Sequence, residues 1–224
     1  MAFPTNLDSF STKTSGQVVA ESHVNDVQTA IVATETKIGY GADTPVSGDF
    51  FKGTGTGTSG WSALASSDLP AGVVVQVVNT IDGAVVTGST ADFPDDDTIP
   101  QITEGDQFMS RTITPLSATN KLKIEVVVAM VANSASGNTV VALHQDAIAN
   151  ALSAVKTQYS AVGSNNWAPI VFTHYMVAGT TSEITFRVRI GSFGGGTTTF
   201  NGSGGARKFG GVLPSSITVT EIKV

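Results

Sequence analysis

From residue 73 to the end of the chain, short runs of residues alternate between apolar and polar side chains, and this alternation constrains the fold most strongly. In residues 183–190, Ile184, Phe186, Val188 and Ile190 fall on one face, and Glu183, Thr185, Arg187 and Arg189 fall on the other. A period of two is the pattern of a half-buried β-strand. Similar runs bounded by Gly, Pro, Asn or Ser lie at 73–80, 98–102, 107–115, 121–133, 138–145, 167–177, 197–201 and 215–224. They predict an antiparallel jelly-roll or sandwich head over residues 73–224. Residues 146–156 fit a short helix or a loop.

Two of these predicted strands depart from simple alternation. Residues 122–131 begin with Lys123 and Glu125 on the outer face and then become apolar on both faces. Burial of both faces predicts that the outer face of this strand meets another subunit. In the last strand the apolar positions switch parity, which predicts either a β-bulge near Glu221 or burial on both faces.

Residues 22–39 are the one segment with a clear helical pattern. Ser22 is placed to cap the N-terminus, and Gly39 is placed to end the helix. Positions that are apolar, or that fit an apolar stripe as threonine does, follow a heptad spacing. They are Val24, Val27, Ile31, Thr34 and Ile38. The narrow stripe favours a short coiled coil that joins copies of the chain over an ordinary amphipathic helix docked on its own domain. So short a coil needs a further contact to hold the copies together.

The segments around this helix are polar or rich in glycine. Residues 1–21 carry too few apolar side chains to build a core, and residues 40–72 have the composition of a linker or shaft. Residues 55–60 match the spacing of a dinucleotide-binding loop. That loop needs a strand before it and a helix after it, and Pro70 leaves no room for the helix, so no nucleotide site is predicted.

The overall composition excludes several classes of partner. Charged residues make up 13 % of the chain, against about 25 % in an average soluble protein. The net charge is −6 and no cluster of Lys and Arg occurs, so nucleic acid binding is not expected. The chain has no cysteine, no secretory signal pattern and no apolar run long enough to cross a membrane.

No arrangement of residues predicts catalysis, a cofactor or a metal. Nucleophile-elbow, zinc-protease and phosphate-loop motifs are absent from the sequence. His144 and Asp146 have the spacing of two ligands on one strand face, with His174 as a possible third, but a hydrogen-bonded histidine explains them better. Asp95, Asp96 and Asp97 are contiguous, whereas calcium loops space their ligands at alternate positions. A metal there, or on a symmetry axis, stays an open alternative.

Two segments have the composition of binding loops. Tyr159, Asn165, Asn166 and Trp167 combine aromatic rings with amides, which suits contact with carbohydrate or protein. The glycine-rich stretch 191–211 contains Phe200 and Asn201. Loops on a rigid scaffold are the usual location of recognition, so these six residues are the candidate receptor-binding residues. The alternative is that the aromatic side chains are buried anchors of the core.

Several segments together resemble bacteriophage tail-fibre and related virion appendage proteins. The resemblance is carried by residues 3–10, 23–26, 35–39, 53–61, 68–70, 98–101, 113–122 and 209–219. It implies a virion structural protein in the form of a homotrimer, with residues 1–21 attaching it to other virion proteins, a short coil and a jelly-roll tip. The tip is expected to attach the particle to a glycan or protein on the host surface.

Two other functions remain open at this point. One is a capsid head fibre or decoration protein, which shares the architecture and needs no receptor. The other is a polysaccharide depolymerase, which the length and the lack of paired acidic motifs disfavour. The resemblance does not give the host, the receptor, or the structure to which residues 1–21 dock.

Overall fold

A computed structural model describes residues 16–38, 46–55, 58–89, 92–134, 138–158 and 167–224. The chain divides between Asp68 and Leu69 into two compact units. This division lies a few residues before the start predicted for the β head at residue 73.

The first unit begins with helix α1, Glu21–Ile38. It starts one residue earlier than predicted, so Ser22 lies inside the first turn and is not the N-cap. The Ala20 backbone amide donates instead to Nδ1 of His23, over 3.2 Å. This bond satisfies one of the backbone N–H groups that have no partner within the helix at its N-terminus. Later in the helix, the Thr34 hydroxyl donates to the Ala30 carbonyl at 2.9 Å. Gly39, the predicted stop, lies outside the described residues.

A β-hairpin follows within the segment that the sequence predicts as a linker or shaft. Strands β1, Asp49–Gly55, and β2, Thr58–Ala63, pair antiparallel. Phe51 lies opposite Trp61, with their ring centroids 5.2 Å apart, and Lys52 forms an ion pair of 2.6 Å with Asp68. Cross-strand aromatic pairs stabilise a hairpin. The glycine- and threonine-rich composition therefore predicted a linker or shaft where the chain forms a local β-hairpin.

The second unit is built from twelve strands among its described residues. They are β3 Val74–Asp82, β4 Val86–Gly88, β5 Asp106–Ile113, β6 Lys121–Asn133, β7 Asn138–Gln145, β8 Ser153–Gln158, β9 Trp167–Val177, β10 Ile184–Gly191, β11 Thr198–Phe200, β12 Gly202–Ser203, β13 Ala206–Arg207 and β14 Ser215–Ile222. The described residues also contain two short 3-10 turns, Ser66–Asp68 in the first unit and Phe209–Gly211 in the second.

Two sheets hold most of these strands, and all the pairings are antiparallel. One sheet has the order β5-β10-β7-β8. In the other, β6 pairs with β9 along one edge and with β14 and then β11 along the opposite edge. Strand β3 lies beyond β14, and β4 lies beyond β11. Strands β12 and β13 form a small ribbon of their own.

The pairings of the eight longer strands are nested. Strand β3 pairs with β14, β5 with β10, β6 with β9, and β7 with β8. The chain thus behaves as one long antiparallel ribbon whose two arms run from β3 to β7 and back from β8 to β14. Successive pairs along this ribbon alternate between the two sheets.

The two sheets pack face to face as a β-sandwich around one main core. Residues from both sheets are fully buried there, including Phe186, Phe200, Ile124, Leu143, Ile190 and Ile217. Burying alternate side chains of two facing sheets is what the period of two predicts. The coarse prediction of a mainly β, antiparallel fold is confirmed. No helix in the described part of the chain is long and apolar enough to cross a membrane.

Most of the predicted strands are present, and the exception has a simple cause. Residues 98–102 contribute only an isolated bridge between Gln101 and Asn150, because Pro100 interrupts the segment. Residues 146–156, predicted as a short helix or a loop, start as a turn and continue into β8, so that prediction is wrong for their second half.

At the C-terminus, the pairing of β14 with β3 shifts register between Glu221 and Ile222. The irregularity adds one residue to β3, between Val74 and Gln76, while β14 keeps its own alternation with Glu221 buried. The predicted cause of the parity switch, a bulge in the last strand or burial on both faces, is therefore wrong, because a buried carboxylate takes the place of an apolar side chain.

The double burial at the end of β6 has a different origin from the one predicted. Residues 130–133 are buried on both faces within a single chain. The backbone amide of Asn201 donates to the Met130 carbonyl at 2.9 Å. Strand β11 pairs with residues 131–133 of β6. No second subunit is needed to explain the apolar character of this end.

Candidate interaction surfaces

The structure separates the six candidate receptor-binding residues into three groups. Tyr159, Asn165 and Asn166 lie outside the described residues. Trp167 begins β9 and is 52 % exposed. Phe200 and Asn201 are buried, at 0 % and 1 % exposure, so the prediction that they form an exposed binding loop is wrong.

Phe200 is an anchor of the core. It occupies the end of β11, and its ring centroid lies 5.4 Å from that of Phe108 at the start of the opposite sheet's edge strand. Aromatic pairs at this separation and tilt stabilise a core beyond the area that they bury. The sequence left this alternative open, because large aromatic side chains usually anchor cores.

Asn201 joins three parts of the sandwich from inside. Its Nδ2 donates to the carbonyls of Asp82 (2.7 Å) and Ala84 (3.0 Å), and its Oδ1 accepts from the Ser215 hydroxyl at 2.6 Å. Its φ is 56°, a left-handed conformation that Asn tolerates better than most residues. The pair Asn201-Gly202 is a turn signal, so the sequence indicated the turn but not the buried amide.

The heptad positions of α1 are exposed in the single chain. Val24, Val27 and Ile31 are 48 %, 44 % and 51 % exposed. Thr34 is also exposed, while its hydroxyl is bound to the helix backbone and leaves the methyl group free for apolar contact. The side chain of Ile38 is outside the described ones. An exposed apolar stripe of this kind is available to a partner.

The acidic loop makes local contacts with the protein. Asp95 forms an ion pair of 2.7 Å with Lys156, whose Nζ also lies 4.6 Å from the Phe193 ring centroid. Asp96 accepts from the Thr98 hydroxyl and amide at 2.5 and 2.8 Å. These two bonds lower the pKa of Asp96. An open groove of about 410 Å³ runs between this loop and residues 151–154.

The structure does not bring the two strand histidines together. His144 lies in β7 and His174 lies in β9, in different sheets. Burial, and secondarily the charge of Arg189, lowers the pKa of His144, and burial also lowers that of His174. The Asp146 carboxylate accepts from the Thr185 amide at 2.7 Å. In the part of the chain that the structure describes, no group of three or more His, Asp or Glu residues is placed to hold a metal.

The outer face of the four-stranded sheet is covered by the chain itself. Phe93 is 1 % exposed and packs with Val140 and Ala142 on that face. Arg189 donates to the carbonyls of Glu104 and Gly105, at 2.8 and 2.5 Å. A Cβ on Gly105 would overlap the Phe93 ring, so a glycine is needed for this close cover.

The outer face of the other sheet carries no such cover among the described residues, and it forms a regular grid. Four rows cross β3, β14, β6 and β9 through the strand pairings. The rows are Val74-Ile222-Lys121-Val177, Val77-Thr220-Lys123-Tyr175, Asn79-Thr218-Glu125-Thr173 and Ile81-Ser216-Val127-Val171. The centre is mostly polar, and the two outer strands carry large apolar side chains. Sequence reasoning missed this surface because it depends on which strands are neighbours.

Comparisons with known proteins give only distant likenesses. No known protein family matches the chain, and no curated protein matches it. A sugar-binding protein, the EclA C-terminal domain, is 16 % identical over 54 % of this chain and 75 % of its own, with a TM-score of 0.30. The infectious bursal disease virus Gt strain structure is 13 % identical over 82 % and 43 %, with a TM-score of 0.33.

A third likeness is to the enzymatically active domain of bacteriophage CBA120 tailspike protein 4. It is 15 % identical over 58 % of this chain and 19 % of its own, with a TM-score of 0.21. This chain therefore spans less than half of the viral and tailspike chains. Likeness this weak does not carry the activities of those proteins over to this chain.

Proposed function

We propose that this chain is a non-catalytic structural protein of a bacteriophage particle, a homotrimeric tail fibre that attaches the particle to the host surface. The single observation that carries the proposal is the exposed seam of α1. Val24, Val27 and Ile31 leave about half of their side-chain surface in water, at the spacing that coiled coils bury.

The physics of short helices supports self-association through this seam. Helix α1 has 18 residues, and in proteins most of the stability of a helix comes from packing its apolar face rather than from intrinsic propensity. Parallel copies in register would bring the same apolar positions together and remove them from solvent. Thr34 fits such a seam because its hydroxyl is already bound to the Ala30 carbonyl.

The strand order supports a jelly-roll head. The nested pairs β3/β14, β5/β10, β6/β9 and β7/β8 make a long ribbon folded over into two sheets. Eight strands arranged in two packed sheets are typical of jelly rolls in viral and lectin proteins. In the proposed fibre, residues 1–21 dock to other virion proteins and the head faces the host.

The alternative is a capsid head fibre or decoration protein, which the same exposed seam and the same head would serve. A labelled antibody against the chain, imaged on intact particles, separates the two. Label on the tail supports a tail fibre, and label on the capsid supports the alternative.

Ile31→Glu should abolish or strongly weaken self-association while the head stays folded. Three glutamates would face one another at the centre of the coil, where burial of an unpaired charge is costly. The matched control is Gln28→Glu, which adds the same charge on the same helix but outside the seam. Sedimentation should report smaller particles for Ile31→Glu and wild-type particles for Gln28→Glu. Equal masses for the two variants would show that the seam joins no copies.

Fluorescently labelled protein should bind the surface of some strains in a panel of capsulated and uncapsulated bacteria. Among the described candidates Trp167 alone remains exposed, so Trp167→Ala should weaken this binding by at least about tenfold, or ~1.4 kcal/mol. Its melting temperature should change little, because half of the Trp167 side chain is already in solvent. Wild-type binding by Trp167→Ala would remove this residue from the receptor site. Binding to no strain would favour the decoration protein.

A further inference from the structure

The grid on the outer face of the six-stranded sheet carries two apolar stripes. The β9 stripe consists of Val171, Tyr175 and Val177, which are 64 %, 59 % and 54 % exposed. The β3 stripe consists of Val74, Val77 and Ile81, which are 51 %, 55 % and 66 % exposed. The extra residue in β3 between Val74 and Gln76 turns Val74 onto the same face as the other two. Each stripe is interrupted once, by Asn79 in β3 and by Thr173 in β9. Exposed apolar groups clustered on one face mark an interaction surface.

The two stripes lie on opposite sides of a polar centre. Strands β14 and β6 separate β3 from β9, so the stripes are three strand spacings, or about 14 Å, apart. Between them lie Thr218, Thr220 and the ion pair Lys123–Glu125, whose atoms are 2.9 Å apart. The face therefore offers two separate apolar contacts rather than one continuous patch.

The charge of this face indicates which occupant it fits. The chain has a net charge of −6, yet the four rows of the grid contain two lysines and one glutamate. Two copies of this chain repel each other over most of their surface, and a nearly neutral face is where the repulsion is weakest. Nucleic acid would need many more cations. A second copy of the chain is the partner that these charges fit.

We propose that each head packs its β9 stripe against the β3 stripe of the next head around a threefold axis. The proposal rests on the trimer under "Proposed function". In a threefold ring every contact joins two different patches, because a patch that meets itself gives a twofold pair. Two apolar stripes of similar length on the two outer strands are the pair of patches that such a ring requires. The polar centre with Lys123 and Glu125 stays outside the apolar contact.

The size of the stripes sets the role of this contact. Residues 171–177 span about 20 Å at ~3.3 Å per residue. Stable interfaces bury about 800 Å² on each partner, so a stripe this narrow adds to the helical seam and does not replace it. The head contact thus supplies the additional association that a coil of two heptads needs.

Crosslinking between engineered cysteines tests the arrangement directly, because the chain has no cysteine of its own. Full-length chains carrying Val77→Cys and full-length chains carrying Tyr175→Cys, with different tags, are co-assembled and treated with a short bis-maleimide. The control mixture pairs Val77→Cys with Ile148→Cys, which is 49 % exposed and follows β7 of the four-stranded sheet. The mass of each assembly is measured by light scattering before crosslinking.

A product that carries both tags, formed by the Val77/Tyr175 mixture and absent from the control, is the expected result. Products joining only Tyr175→Cys to itself, or only Val77→Cys to itself, would overturn the proposal in favour of a twofold contact. A trimer that gives no Val77–Tyr175 product would overturn the head contact and leave the fibre proposal standing. Single chains before crosslinking would overturn both.

Discussion

Phe200→Ala should lower the free energy of unfolding by about 3–5 kcal/mol, the usual cost of removing a fully buried phenylalanine. The side chain has 0 % exposure, and its ring packs against Phe108. Its loss leaves a cavity between the two sheets that the neighbouring strands cannot close without moving. Chemical denaturation of the variant and the wild type measures the difference.

Phe209→Ala is the matched control for this experiment. Phe209 is 72 % exposed and lies in the same glycine-rich segment, so the same truncation should cost less than about 0.5 kcal/mol. A loss of the same size in both variants would show that Phe200 is no more important to the core than a surface ring. A loss in neither would place Phe200 outside the core.

Glu221→Ala should cost about 3 kcal/mol or more. The carboxylate is fully buried and accepts from the Leu116 amide at 2.9 and 3.0 Å, from the Ser117 amide at 3.2 Å and from Asn120 Nδ2 at 2.7 Å. Removing it leaves three donors without their partner, at about 1–3 kcal/mol for each buried group. The loop between β5 and β6 would lose its attachment to the last strand.

Two further variants separate the charge of Glu221 from its shape. Glu221→Gln keeps the length of the side chain but places an NH2 group among donors, so it should still cost about 1–3 kcal/mol. Glu125→Gln removes a carboxylate on the same sheet whose side chain is 40 % exposed, where ion pairs contribute about 0–1 kcal/mol. Denaturation curves for Glu221→Gln that overlay those of Glu125→Gln would contradict the anchoring role of the carboxylate.

The strands were predictable because burial acts on every second residue of a sheet. Strand β10 shows this directly, since Ile184, Phe186 and Val188 are buried on the face that the alternation predicts. Strand β14 keeps the same alternation, and its apolar positions change parity because Glu221 takes a buried position. Strand β8 was not predicted because its six residues alternate between half-buried and exposed at a sheet edge, with none fully buried. So weak an apolar pattern resembles a loop.

The surfaces were less predictable because they depend on contacts between distant parts of the chain. Val77 and Tyr175 are 98 positions apart, and only the pairing through Thr220 and Lys123 places them in one row. Asn201 stands in a sequence typical of a surface turn. It is buried because its side chain forms hydrogen bonds with residues 82–84 and with Ser215. Neither the shared row of Val77 and Tyr175 nor the burial of Asn201 can be inferred from the local sequence. Helix α1, by contrast, is a local structure, and its helical period is visible in one segment of the sequence.

The mass of the purified full-length chain in solution tests the central claim most directly. Light scattering at micromolar concentration should give three times the mass of the 23.0 kDa chain, held by the seam at Val24, Val27 and Ile31. A mass of one chain under these conditions would contradict the trimeric fibre.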